Sequence, residues 1–284
     1  MDAASYIFER QVLWARRRAI PLRGSEGERG QQAYTPALED NLFEPLSPDA
    51  RRDYEQGDGR ELRRNMRAVH SSSALACNVF AYWKRLGQCS IPAQAATLAA
   101  TGLTALRFEA KLPVCEPVDR GRFPRDPNID VLMEYAPTSP VRAAGIECKF
   151  GEPYSNRGHD GLRPAYLQDD SFWKGLSHCR ALAELISPDD TRFRHLHAAQ
   201  LLKHVLGLRH AFGHAGFRLL YLWYDVPFPE GAAHREELAR FADAARADRI
   251  DFQTLTYQEL ILGLARGHRT GHTAYVDYLA ERYL

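Results

Sequence analysis

Lysine is scarce in this chain. Only five of its 37 basic residues are lysine (84, 111, 149, 174 and 203), and the other 32 are arginine. A sequence with this bias meets generic needs for positive charge with arginine. A lysine inside an apolar run therefore points to a compact, deprotonatable point charge that a guanidinium cannot supply. The opposing reading is a strand-end lysine whose stem snorkels to solvent. Other scarcities exclude whole classes. The net charge of +1 rules out a bulk polycation, so any nucleic-acid surface has to be a local patch. The five cysteines (77, 89, 115, 148 and 179) form no CxxC pair and no regular framework, which argues against disulfides or a zinc knot. No apolar run approaches membrane-spanning length, and Met1 to Ser5 do not open a signal-like segment. Internal repeats and low-complexity tracts are absent as well. The expectation is a soluble cytoplasmic protein with no membrane partner.

What is present is concentrated in two stretches. Asn128-Ile129-Asp130 opens the apolar run Ile129 to Met133, and Glu147-Cys148-Lys149 closes the run Ala143 to Phe150. Alternate residues of a strand share a face, so Glu147 and Lys149 project together while Ile146, Cys148 and Phe150 point the other way. With Asp130 on the neighbouring strand of a hairpin, two carboxylates and an amine converge. Such a set can hold a hard divalent cation and orient a water molecule. Composition alone places an acid two residues before some lysine less than once, yet the chain has two such triplets, the second being Glu109-Ala110-Lys111. Glu147 follows a strand that carries Asp130, whereas no acid precedes Glu109 back to Glu61. Glu147-Cys148-Lys149 is therefore the better site.

Along the chain, residues 5–18 read as a helix ending in three arginines. Residues 19–60, rich in Gly, Pro, Asp and Arg without sustained periodicity, read as an extended arm. Ser71 to Ser73 can cap a helix carrying Leu75, Val79, Phe80 and Trp83 at helical spacing. Ile91 to Leu103 reads as a second helix. Strands are expected at 105–114, 128–135 and 142–150, separated by Pro117, Gly121, Pro124 and Pro127 and then by Pro137 and Pro140. A polar loop over 151–170 follows, then helices at 169–186 and 191–211. The buried strand 217–226 comes next. A helix at 232–247, a strand at 250–256 and helices at 257–267 and 272–283 complete the chain. The simplest parse is an N-terminal helix and extended arm over 1–60 and one domain over 61–284.

Helix, three strands, helix and strand, with Asp130 on the second strand and Glu147-x-Lys149 on the third, resembles the PD-(D/E)xK nuclease superfamily. That group includes type II restriction endonucleases and RecB-like nucleases. The segments Arg125 to Glu134, Gly145 to Tyr154 and His70 to Asn78 look like its uncharacterised bacterial members. The resemblance implies an α/β restriction-endonuclease-like core, αβββαβ, in which helices flank a central mixed β-sheet, with the N-terminal arm added. It implies that Asp130 and Glu147 bind Mg²⁺, with Mn²⁺ as a substitute, and that Lys149 orients or helps to deprotonate the attacking water. Two features depart from the pattern. Pro127 lies three residues before the aspartate, and the helix over 71–88 has no acid. The further Glu that many members carry then falls to Glu61, to Glu109 or to nothing. Glu109 is favoured as a third metal ligand, against its reading as a surface strand face. Gln200 loosely matches a Gln that RecB-like relatives place near the active site. Glu152 and Tyr154 are candidate accessory groups or ordinary loop residues. His210 and His214 have i, i+4 spacing but no evident third ligand, and the other helix histidines read as surface or core residues.

The implied function is a metal-dependent nuclease acting on DNA, a restriction or repair-type endonuclease that could work as a homodimer. The alternative is an inactive nuclease fold that binds nucleic acid or a protein partner. The intact Asp, Glu and Lys set argues against that alternative. A glycosidase using Glu147 and Asp130 as an acid/base pair fits badly with a lysine between them.

Overall fold

The apolar runs around Asp130 and Glu147 are paired as the middle of one sheet. A computed structural model describes residues 1–24, 31–57, 61–62, 64–116, 123 and 126–284. Strands β1 (Leu103–Lys111), β2 (Asn128–Tyr135) and β3 (Ala143–Lys149) form an antiparallel meander. Two further strands lie parallel to β3, namely β6 (Phe217–Trp223) and β7 (Asp251–Thr256), giving the order β1-β2-β3-β6-β7. A separate two-residue ladder joins β4 (His159–Asp160) to β5 (Asp189–Asp190). All seven residues of β3 are buried except Lys149, which is half-buried. Such a continuous apolar run is expected of a strand covered on both faces.

Parallel strands need long crossovers, and helices supply them. Between β3 and β6 run α5 (Pro164–Leu167), α6 (Ser177–Leu185) and α7 (Ala198–Phe212). Between β6 and β7 runs α8 (Pro229–Ala247). Helix α7 packs on β3 and β6 at very short range, because glycine stands at the contact. A Cβ on Gly145 of β3 would lie 2.9 Å from Leu208 of α7, and one on Gly207 of α7 would lie 2.8 Å from the carbonyl oxygen of Leu112. The opposite face of β3 meets α9 (Tyr257–Gly267), whose Tyr257 hydroxyl contacts the Cys148 thiol. Thr256 and Glu259 close a capping box that fixes where α9 begins.

Four helical expectations change. The expected arm contains α2 (Pro48–Gln56), announced by Ser47 as N-cap and Pro48 in the first turn. The expected helix over 91–103 is only α4 (Ser90–Ala95); left-handed backbone at Thr97 and Gly102 turns the chain into β1. The helix expected from 169 starts at Ser177, after Gly175 at φ +76°. The helix expected from 191 starts at Ala198, because the Glu237 carboxylate takes the amides of Arg194, His195 and Leu196. Helices α1 (Ala3–Arg17), α3 (Ser72–Leu86) and α10 (Thr273–Tyr283) agree closely with expectation. Pro117, Gly121 and Pro124, and the expected boundary at residue 60, lie outside the described residues. No helix among the described residues is long and apolar enough to cross a membrane.

Helix α2 seals the β1 edge of the sheet. Asp53 Oδ2 accepts the Phe108 amide at 3.1 Å and the Lys84 ammonium at 2.7 Å, and Lys84 donates on to the Leu106 carbonyl at 2.6 Å. An edge that would otherwise offer free backbone groups is thereby partly satisfied by side chains.

The two ends of the chain are joined through one buried arginine. Arg282, 1% exposed, donates to Gln11 Oε1 at 2.9 Å, to the Asn41 carbonyl at 2.8 Å and to Val69 O at 3.1 Å. It also reaches Asn41 Oδ1 and the Tyr278 hydroxyl, and its guanidinium lies 3.8 Å from the centre of the Trp14 ring. Neutral oxygens and an aromatic face thus satisfy a buried charge. Replacing Arg282 with Met removes the buried donor to Gln11 Oε1, Asn41 Oδ1 and the Val69 carbonyl, while the Asn41 carbonyl keeps its bond from Asn78. We expect about 3 kcal/mol of stability to be lost, read as a fall in the urea midpoint; an unchanged midpoint contradicts this role.

Candidate active site

The β2–β3 ladder runs out at Val131 opposite Ile146. Past that point the Cys148 amide donates to a side chain, Asp130 Oδ2, at 2.6 Å. Asp130 is therefore drawn to the end of β3 by a backbone bond, and it lies beside the strand that bears Glu147 and Lys149. On β3 the two residues share a face, as alternation requires, and the Lys149 ammonium lies 2.5 Å from Glu147 Oε1.

Helix α7 completes the arrangement. Gln200 Oε1 accepts from Lys149 Nζ at 3.1 Å, and His204 Nε2 meets Glu147 Oε2 at 2.8 Å. Two residues along a strand span roughly 6.6 Å, and four along a helix about 6 Å. A helix running against β3 can therefore match Glu147 with His204 and Lys149 with Gln200 at once. Burial is deep: Glu147 is 0% exposed and His204 1%.

The charges in this cluster are strongly coupled. Burial works to raise the Glu147 carboxyl, but Lys149 and then His204 outweigh it and hold it down at about 2. Burial also dominates at Asp130, where the neighbouring charges of Glu147 and Glu109 push it well above the ordinary carboxyl range. For Lys149 burial favours the neutral amine, yet Glu147, Asp130 and Glu152 together raise it above its usual value. The deprotonatable lysine expected from the sequence is thus an ammonium clamped between Glu147 and Gln200.

Of the remaining candidates, Glu109 comes nearest. It lies at φ +49° in β1 between the pairs Phe108–Val131 and Ala110–Ile129, which sets it opposite Asp130. Asn128 donates to Glu109 Oε2 at 3.4 Å. A positive φ in a non-glycine residue is costly, so the surrounding structure holds Glu109 there. The rival Lys111 turns away and donates to the Gly57 carbonyl at 3.1 Å. Glu152 accepts the Phe150 amide at 2.9 Å and acts on Lys149 only through its charge. Glu61 is bonded to Ser73 and Asn65 at the start of α3. Glu61 and Glu152 both border a cavity of about 820 Å³, but Asp130, Glu147, Lys149 and Gln200 do not line it. Tyr154 is buried, with its hydroxyl donating to the Tyr224 carbonyl at 3.0 Å. His214 bonds to the Asp248 carbonyl and His210 lies 3.8 Å from Glu116, so they form no ligand pair.

His204 is the residue that sequence reasoning passed over, grouping it with surface and core histidines. Its signal was the i, i+4 relation to Gln200, which matches the i, i+2 relation of Glu147 to Lys149.

Among the described residues, no group of three or more His, Cys, Asp and Glu is arranged to hold a metal ion. The carboxylates that converge are Asp130 and Glu147, and among the described residues the buried Glu147 Oε1 has no aligned hydrogen-bond donor. Mg²⁺ is commonly held by one or two carboxylates, with water and phosphate oxygens completing its shell. The residues fit an open site of that kind rather than a closed cage.

Residues 9–284 match the family described as Restriction Endonuclease associating with ARP. The chain belongs to that family. No curated protein and no solved structure matches it. The mixed five-stranded sheet between helices is accordingly an α/β restriction-endonuclease-like core, and Asp130, Glu147 and Lys149 lie at its centre.

The Asp130 shift has a measurable consequence. A carboxyl whose folded-state pKa is raised opposes folding wherever it is charged in the unfolded chain. The penalty is absent below the unfolded value, near 3.8, and grows as pH rises toward the folded one. Asp130→Asn keeps an acceptor for the Cys148 amide and removes the charge. We expect it to raise the melting temperature of the cation-free protein at neutral pH, with the gain vanishing in acid. A neutral-pH loss of stability would show that the sign is wrong.

Proposed function

We propose that this protein hydrolyses phosphodiester bonds in DNA with a divalent cation, Mg²⁺ or in its place Mn²⁺, as an endonuclease of the restriction or repair type. The observation that carries the reading is the pair of buried Glu147 and half-buried Lys149 on one face of β3, with Asp130 brought to the same strand end from β2. Membership of a restriction-endonuclease family supports a nuclease in general terms. The two carboxylates beside a lysine support the cation, and the resemblance to nucleases supports DNA as the substrate class.

Asp130 and Glu147 would hold the cation, with Glu109 as an accessory acid opposite Asp130. When bound, the cation would neutralise charge on the phosphate and on the leaving oxygen. The rest falls to the chain itself. Lys149 is charged and its ammonium is fixed from two sides, by Glu147 and Gln200, so it can orient a water and stabilise the anion that forms as that water attacks. Its raised pKa makes it an electrostatic and orienting group, with proton removal left to solvent or to phosphate oxygen. Glu147 stays ionised through neutral pH and is a permanent anion. Local arginines would engage the DNA backbone, giving affinity that falls steeply with salt.

The family description also speaks of association with ARP, and this supports a protein partner beside the nucleic acid. It does not compete with cleavage, because a partner can bind away from β3.

Supercoiled plasmid and short linear duplexes should be cut in Mg²⁺ or Mn²⁺ and left intact in chelator. Lys149→Ala should slow cleavage by roughly a hundredfold or more. Cleavage that survives chelation, or that Lys149→Ala leaves undiminished, sinks the proposal.

A further inference from the structure

The mechanism above uses Lys149 and one oxygen of Glu147. The other oxygen is engaged by a residue with no assigned role. His204 is 1% exposed, and its Nε2 lies 2.8 Å from Glu147 Oε2. Its second nitrogen, Nδ1, is buried and has no hydrogen-bond partner among the described residues. A histidine kept only to fill the core has no need to reach a carboxylate, and an orphaned Nδ1 shows that the ring orientation is set from the Nε2 side. Because Glu147 is ionised and can only accept, Nε2 must carry the hydrogen. The bond is then charge-assisted and shielded from water, the setting in which such bonds are strongest.

The two oxygens of Glu147 differ accordingly. Oε2 is tied to a closely packed helix, since Gly207 and Gly145 bring α7 into contact with Leu112 and β3. Among the described residues, Oε1 has the Lys149 ammonium at 2.5 Å and no aligned hydrogen-bond donor. A free carboxylate at the end of two rotatable bonds could present either oxygen, or both, to a cation. Here only one is presented.

We propose that His204 is a positioning residue that fixes Glu147 through Oε2 and so reserves Oε1 for the divalent cation, an inference that rests on the cation-dependent reading above. It acts as the ligand's outer partner, the kind of group whose loss typically costs 10–100-fold in metal affinity.

Two substitutions separate positioning from packing. His204→Gln places an amide donor at about the reach of Nε2, whereas His204→Leu fills the space with no donor. Calorimetric titration of each DNA-free protein with Mn²⁺, and with Ca²⁺ as a second probe, reads affinity without turnover. We expect His204→Leu to weaken Mn²⁺ binding roughly 10–100-fold and His204→Gln to restore most of it. Equal affinities in wild type and His204→Leu overturn the inference while leaving the nuclease reading intact. A wild-type protein that binds neither ion overturns both. Should His204→Leu not fold, ¹⁵N imidazole spectra of the cation-free wild type still decide the matter. The expected result is hydrogen on Nε2, with a resonance that moves in Glu147→Gln. A ring carrying its hydrogen on Nδ1, or one indifferent to Glu147→Gln, overturns the inference.

Discussion

A carboxylate withdrawn fully from water must find cations and donors nearby, and Glu147 dictates much of what surrounds it. Its partners come from two elements, Lys149 from its own strand and His204 from α7. For His204 to reach it, α7 has to lie almost on the sheet, and that distance is available because Gly145 and Gly207 present no side chain. The crossover between β3 and β6, the strand order that follows from it and the ionised state of the site all meet at this one charge.

Asp130 shows the opposite response to the same surroundings. It is exposed to the charges of Glu147 and Glu109 and resists ionisation, while Glu147 embraces it. Two acids a strand apart are thus driven to different affinities for a proton, which is a familiar property of sites that do chemistry. The strained backbone at Glu109 belongs to the same pattern, because a third negative charge is held opposite Asp130 at a conformational cost.

The strands and the Asp130, Glu147 and Lys149 set were legible in the sequence because they rest on local signals: apolar runs, alternation and an acid two residues from a lysine. The helix starts at Ser177 and Ala198 were not legible, since Gly175 and the remote Glu237 decide them. Helix α2 was legible in principle from Ser47 and Pro48, but only Ala50 and Tyr54 of its nine residues are buried, and periodicity that thin is easily missed. His204 was the hardest. Its partner lies 57 positions away, and its i, i+4 spacing from Gln200 gains meaning only beside the i, i+2 spacing of Glu147 and Lys149. The raised affinity of Lys149 for its proton also required the three carboxylates around it to be seen together.

The bond from the Cys148 amide to Asp130 makes one carboxylate both a ligand candidate and a tie in the sheet. Beyond the last backbone pair, that side chain is what holds β2 to β3. Substitution at this position therefore acts on the architecture as well as on the cluster of charges. Asparagine preserves the acceptor, whereas a residue without one leaves the Cys148 amide unpaired at the end of the ladder and loosens the centre of the sheet.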